Sequence, residues 1–143
     1  MTALSGDRVD TLRPTAWVPI GVAASQQIYD GALTMVNSSG YLLPAADTAS
    51  CTFAGAANQN VLGGATDGLV NCNVVPPGQS GPLALYCANV TAAYCGQLAY
   101  AVDDQTVALT GGVINHVLVG KIIGILTTGT AGMVIVDPSI RVA

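Results

Sequence analysis

Residues 91–109 read TAAYCGQLAYAVDDQTVAL. Thr91 can cap a single helical turn over Ala92 to Cys95. Tyr100, Val102, Val107 and Leu109 are strand formers, and Asp103-Asp104-Gln105 interrupts the run between them. The stretch predicts a helical turn, a strand, an acidic turn and a second strand.

The chain on either side is punctuated in the same way. Ile28 to Val36 and Tyr41 to Leu43 flank Asn37-Ser38-Ser39-Gly40, a hairpin loop with a glycine free to take positive φ. Further strands are expected over Cys51 to Ala57 (with a glycine kink), Leu69 to Val75, Leu83 to Val90, Val117 to Leu126 and Met133 to Val136, with Pro138 closing the fold. Asn58 to Gly68 is polar and glycine-rich, and reads as a loop. The expected fold is mainly β: a compact sandwich or barrel of about eight short strands with one short helical turn. Val117 to Leu126 is apolar on both faces, so it should be central in its sheet or face a subunit interface.

Residues 1–20 differ from the rest. They hold Asp7, Arg8, Asp10 and Arg13, and Pro14 and Pro19 flank Trp17, the only tryptophan. Proline favours extended geometry in the residue before it. The reading is an extended N-terminal arm, 1–20, ahead of one β-rich domain, 21–143.

Composition narrows the function. Charged residues make up 8% of the 143, against about 25% in typical soluble domains. Hydrophobic residues make up 51% and the mean hydropathy is +0.55. A lone copy would expose large apolar patches, so copies of itself or a partner should cover them. All eight acidic residues are aspartate and Lys121 is the only lysine. Helix surfaces are normally filled with Glu and Lys, so this usage argues for strands and turns. A net charge of -4 opposes direct nucleic-acid binding, which relies on cations that neutralise phosphates. The greasiest stretch, Val113 to Leu126, is shorter than the ~20 residues of a spanning helix and is broken by Asn115, His116 and Lys121. The N-terminus has no basic segment leading into an apolar one, so neither a signal peptide nor a membrane span is expected.

Candidate chemistry is sparse. Cys51, Cys72, Cys87 and Cys95 show no C-x-x-C spacing and read as four buried thiols; no metal or cofactor is expected. Asp103 and Asp104 are neighbours, whose side chains diverge at a strand end, so they suit a turn better than a paired-acid site. His116 beside Asn115 reads as a polar turn or strand residue, since nothing in the sequence pairs it with a nucleophile. No catalytic residue is assigned. Gly63-Gly64 and Gly111-Gly112 lack the Lys-Ser/Thr of a phosphate loop and read as turns.

Several pieces together resemble the phage capsid cement, or head-decoration, proteins. The resemblance runs through Asp30-Gly31-Ala32-Leu33, Ser39-Gly40-Tyr41 and Pro44-Ala45-Ala46-Asp47. It continues in Gly96 to Asp103, Thr106-Val107, Val119 to Ile122, Gly124 and Met133 to Val136, and departs at Tyr94-Cys95. It covers about residues 22–137, with the middle aligned loosely. It implies a structural virion protein, made in the bacterial cytoplasm, that binds the outer capsid surface, bridges major capsid protein subunits and works as a trimer or dimer. The expected contacts lie in the arm: Leu4, Arg8, Leu12, Arg13 and Trp17. Trp17 has a second, equal reading, as a staple of the arm to its own domain. The competing readings are another virion β-protein, such as a tail-tube or head-fibre base, and a carbohydrate-binding β-sandwich.

Overall fold

The computed structural model describes residues 17–142; residues 1–16 and 143 lie outside that range. The strands are β1 (Val18–Gly21), β2 (Gln27–Ile28), β3 (Leu33–Val36), β4 (Leu42–Pro44), β5 (Thr52–Ala57), β6 (Val61–Leu62), β7 (Asn71–Val75), β8 (Leu83–Val90), β9 (Leu98–Ala101), β10 (Thr106–Ala108), β11 (Leu118–Thr127) and β12 (Gly129–Asp137). Two 3-10 turns, Ala92–Tyr94 and Thr110–Gly112, provide the helical content. The chain is mainly β, as expected. Twelve strands appear among the described residues instead of about eight: β1 forms in the expected arm, β6 in the expected loop, and a turn divides one longer run. Tyr29 to Ala32 splits the expected Ile28–Val36 strand, with Gly31 at a φ of 83°.

The first half forms a five-stranded sheet in the order β1-β7-β5-β3-β4. Its two edges approach at one end through a parallel bridge between Val22 and Leu42. The two-stranded ribbon β2-β6 stands beside it. Val22, Ile28, Leu42, Ala57, Cys72 and Val74 form the core between sheet and ribbon. Part of the stretch expected to be arm is strand: β1 pairs Val18 with Val74 and Gly21 with Asn71.

Strand β5 carries a bulge. Gly55 pairs with Thr34 and Phe53 with Met35, leaving Ala54 as an extra residue. One inserted residue reverses which face later side chains take. Phe53 therefore joins the core shared with the second half, whereas Ala57 joins the ribbon core. The buried Thr34 hydroxyl donates to the Gly55 carbonyl at 2.8 Å. Burying an unpaired hydroxyl is costly, and here the bulge accepts its bond.

The second half closes into a five-stranded barrel, β10-β8-β12-β11-β9. Its seam is a parallel pairing of β10 with β8, Thr106 opposite Tyr86. Closure removes the free edges that an open sheet exposes. Register shifts interrupt β11 at three places, between Leu118 and Gly120, Ile122 and Gly124, and Ile125 and Thr127. Such bulges bend a strand, as a small barrel requires. They also account for the doubly apolar run: Val119 and Ile122 are buried inside, while Ile123 and Leu126 are left exposed.

Leu33, Met35, Ala45 and Phe53 of the first half share one core with Leu85, Val107, Ile122, Val134 and Val136 of the barrel. The Leu33 N–H donates to the Asp104 carbonyl at 2.8 Å, joining the halves through the acidic turn. The chain also packs beyond Pro138. Arg141 Nη1 and Nη2 donate to the Val119 and Leu118 carbonyls at 3.1 and 2.7 Å, and its guanidinium lies 5.8 Å from the centre of the Phe53 ring.

Candidate functional site

Four of the expected contact residues, Leu4, Arg8, Leu12 and Arg13, lie outside the described residues. Trp17 immediately precedes β1, is 53% exposed and belongs to neither core. The other aromatics of comparable exposure are Tyr29, between β2 and β3, and Tyr86, on β8. The three stand on separate elements rather than along one strand.

The acidic pair works as turn chemistry. Asp103 Oδ1 accepts the Gln105 N–H at 2.9 Å, and the Asp104 backbone makes the bond to Leu33 described above. A depression of about 470 Å³ brings Asp104 beside Asp30, Tyr29 and Gln105. Among the described residues, no three His, Cys, Asp or Glu side chains gather where they could hold a metal.

The cysteines divide, where the sequence reading buried all four. Cys72 and Cys87 are buried, Cys51 is half-buried and Cys95 is exposed, and all are free. Burial pushes the Cys72 and Cys87 thiols up, with the charge of Asp30 adding to the effect at Cys72. Cys95 escapes burial because it follows the Ala92–Tyr94 turn on the surface. Thr91 is extended there and makes no side-chain capping bond, contrary to its expected role.

The loop at Asn115 and His116, which the sequence suggested only as a polar turn or strand, is tied down by Asp47. Asp47 Oδ2 accepts the Ile114 N–H at 2.8 Å and Oδ1 accepts the Asn115 N–H at 2.7 Å. Asn115 Nδ2 returns a bond to the Asp47 carbonyl at 2.9 Å. These bonds hold the Asp47 carboxyl below its ordinary value, the Ile114 N–H chiefly and the Asn115 N–H next; partial burial opposes them. His116 takes a φ of 53°, rare for a residue with a side chain. Its ring meets Tyr100 edge-on with centroids 5.2 Å apart, and its Nε2 lies 3.3 Å from the Thr110 carbonyl. Buried Val113 and Val117 pin the two ends, yet Ile114 between them is 83% exposed. The sequence hid this residue, because Val113-Ile114 reads as the start of an apolar run.

The outer barrel wall is the other notable surface. Along β8, Ala84, Tyr86 and Ala88 are exposed, alternating with the buried Leu85 and Cys87. Pairing sets them beside Ile135, Met133 and Ala131 of β12 respectively. Exposed Ile123 and Leu126 of β11 extend the apolar side-chain set. No residue in this group is ionisable except the Tyr86 phenol. Among the described residues, the aspartates lie in turns and connections, apart from Asp137 at the end of β12.

No family model, curated protein or solved structure matches this chain. Among the described residues, no helix is long and apolar enough to cross a membrane.

Proposed function

We propose that this chain is a non-enzymatic structural protein of a phage virion that binds the outer capsid surface and stabilises the shell by bridging major capsid protein subunits. The observation that carries the reading is the apolar stretch of the outer barrel wall, where Tyr86, Ile123 and Leu126 are exposed beside Met133 and Ile135, with the charged Lys121 and Asp137 confined to one end. Contiguous apolar surface of this kind suits a protein that works covered. The family resemblance of residues 22–137 supplies the assembly.

The mechanism is additive. A protein that binds only the assembled shell stabilises it by mass action, and many symmetric copies multiply a modest contact through avidity. The arm residues Leu4, Arg8, Leu12, Arg13 and Trp17 are proposed shell contacts, and Arg8 and Arg13 would pair with capsid carboxylates. The test compares particles with and without this protein. Particles lacking it should rupture at lower temperature, and re-addition of purified chain should restore them. Removing residues 1–16, which stops short of β1, should weaken re-addition without lowering the melting temperature of the free protein. Equal heat stability of bare and decorated particles would sink the reading.

A further inference from the structure

We propose that the segment after β12 is a latch: Arg141 closes the corner where β9 meets β11, and its release opens that seam while the rest of the fold stays paired. The segment is built to return to β11. Asp137 Oδ1 accepts the Ser139 N–H at 2.9 Å and the Ser139 hydroxyl at 2.6 Å, and the Ile140 N–H donates to the Asp137 carbonyl at 3.3 Å. These bonds turn the chain directly after the strand. Pro138 is buried and lies against Gly120. A Cβ on Gly120 would run into the Asp137 carbonyl oxygen and lie 2.7 Å from the Pro138 Cα, so glycine lets the segment pass there. Arg141 then reaches two consecutive carbonyls of β11 and the Phe53 ring.

The place it grips is the irregular part of the seam. Leu118 pairs with Tyr100 and Gly120 with Ala99, which leaves Val119 as an extra residue. A bulge of this kind disrupts the ladder locally. The Leu118 and Val119 carbonyls take their bonds from the guanidinium instead. The ladder resumes on either side, where the Ala101 N–H donates to the Val117 carbonyl at 2.9 Å and the Ile122 N–H to the Gln97 carbonyl at 2.8 Å.

The grip is made to let go. Both bonds end on neutral carbonyls, no carboxylate among the described residues pairs with Arg141, and burial alone lowers its pKa. A guanidinium that leaves regains its hydration, which offsets much of what the latch loses. An apolar side chain in the same place would have no such alternative. Little else holds the segment, since Ser139 is exposed and Val142 is 73% exposed. Phe53 belongs to the first half of the chain, so release frees the barrel corner from that half as well. The latch stands independently of the capsid reading.

Lys121 makes the opening measurable. It is the only lysine in the chain and lies in the corner itself, opposite Leu98 of β9 and Asp137 of β12. A lysine-specific endoprotease therefore has one site, and it cuts only when both pairings are undone. In the wild type the cut should be slow and its rate nearly flat in low urea, the sign of a local opening that exposes little surface. Arg141→Ala should speed it at least about 10-fold, the effect of losing a hydrogen bond to a charged group, and Arg141→Lys should speed it less. Guanidinium chloride below denaturing concentration should slow the cut in Arg141→Ala, and sodium chloride at the same concentration should not; a short lysine peptide corrects for effects on the protease. By hydrogen exchange, the Ala101 and Ile122 amides should lose protection in Arg141→Ala, while the Tyr86 amide, bonded to the Gln105 carbonyl across the other seam, keeps it. If Arg141→Ala does not fold, the wild type decides: its Ala101 and Ile122 amides should open together, with a smaller urea dependence than Tyr86. A cut rate that rises with urea as steeply as global unfolding would overturn the proposal. So would protection lost evenly around the barrel, or a cut rate indifferent to Arg141→Ala.

Discussion

Replacing Gly55 with alanine tests the bulge that divides the two cores. Gly55 has a φ of 127°, and a Cβ placed there would lie 2.0 Å from the Val75 carbonyl oxygen and 2.9 Å from its carbon. Ordinary carbon–oxygen contacts are about 3.3 Å, so β7 would have to retreat by about 1.3 Å. That retreat breaks the pairing of Ala56 with Val75 and Ala57 with Val74. The backbone conformation alone costs an L-residue about 1–3 kcal/mol. With the steric term, the loss should reach at least about 3 kcal/mol. For a chain of this size, that lowers the melting temperature by about 10 °C. Gly31→Ala is the control. Its φ is 83°, but nothing lies within 4 Å of the added Cβ, so only the backbone term applies. A drop of about 5 °C or less is expected there. Differential scanning calorimetry of both variants decides. If Gly55→Ala loses no more than Gly31→Ala, the close approach of β5 to β7 is not as described.

The Asp47 clasp should depend on pH in a definite direction. Its folded pKa is depressed, so its contribution is fully present above the unfolded value of about 3.9 and is lost as pH falls through the folded one. Exchange of the Ile114 and Asn115 amides should therefore be slow at neutral pH and lose protection in acid; Asp47→Asn should lose it at neutral pH, and protection indifferent to both would refute the clasp. The thiols should react in three classes with an aromatic disulfide reagent on the native protein: Cys95 first, Cys51 more slowly, Cys72 and Cys87 only on unfolding. Four thiols reacting together without denaturant would contradict their burial.

Strand content was legible because β-branched runs alternate with turn residues. Leu83–Val90 is found with the bounds expected, and the hairpin around Asn37 folds as its residues suggest, with Asn37 Oδ1 accepting the Ser39 and Tyr41 N–H groups, each at 3.0 Å. The parallel pairing of β8 with β10 was not legible, since it joins strands about 20 residues apart and leaves no local mark. The β6 strand was read as loop because two residues are too few to show alternation. At the surface, composition indicated that apolar residues are exposed, but not which ones. Tyr86 could be found from the alternation of β8 once its inner face was known. Ile114 could not, because its exposure depends on Asp47, whose backbone position lies 67 residues away.

The division of labour between the halves has a temporal side. The sheet comes from residues 18–75 and the barrel from 83–137, with no interleaving. The nascent chain therefore completes β5, with Phe53 ready to pack beside Leu33 and Met35, well before β12 exists to close the barrel. At ordinary translation rates, the 80 residues from Ala57 to Asp137 take roughly 4–16 s. Throughout that interval the face carrying Leu33, Met35 and Phe53 lacks its complete cover. The last strand made is the one that seals the protein.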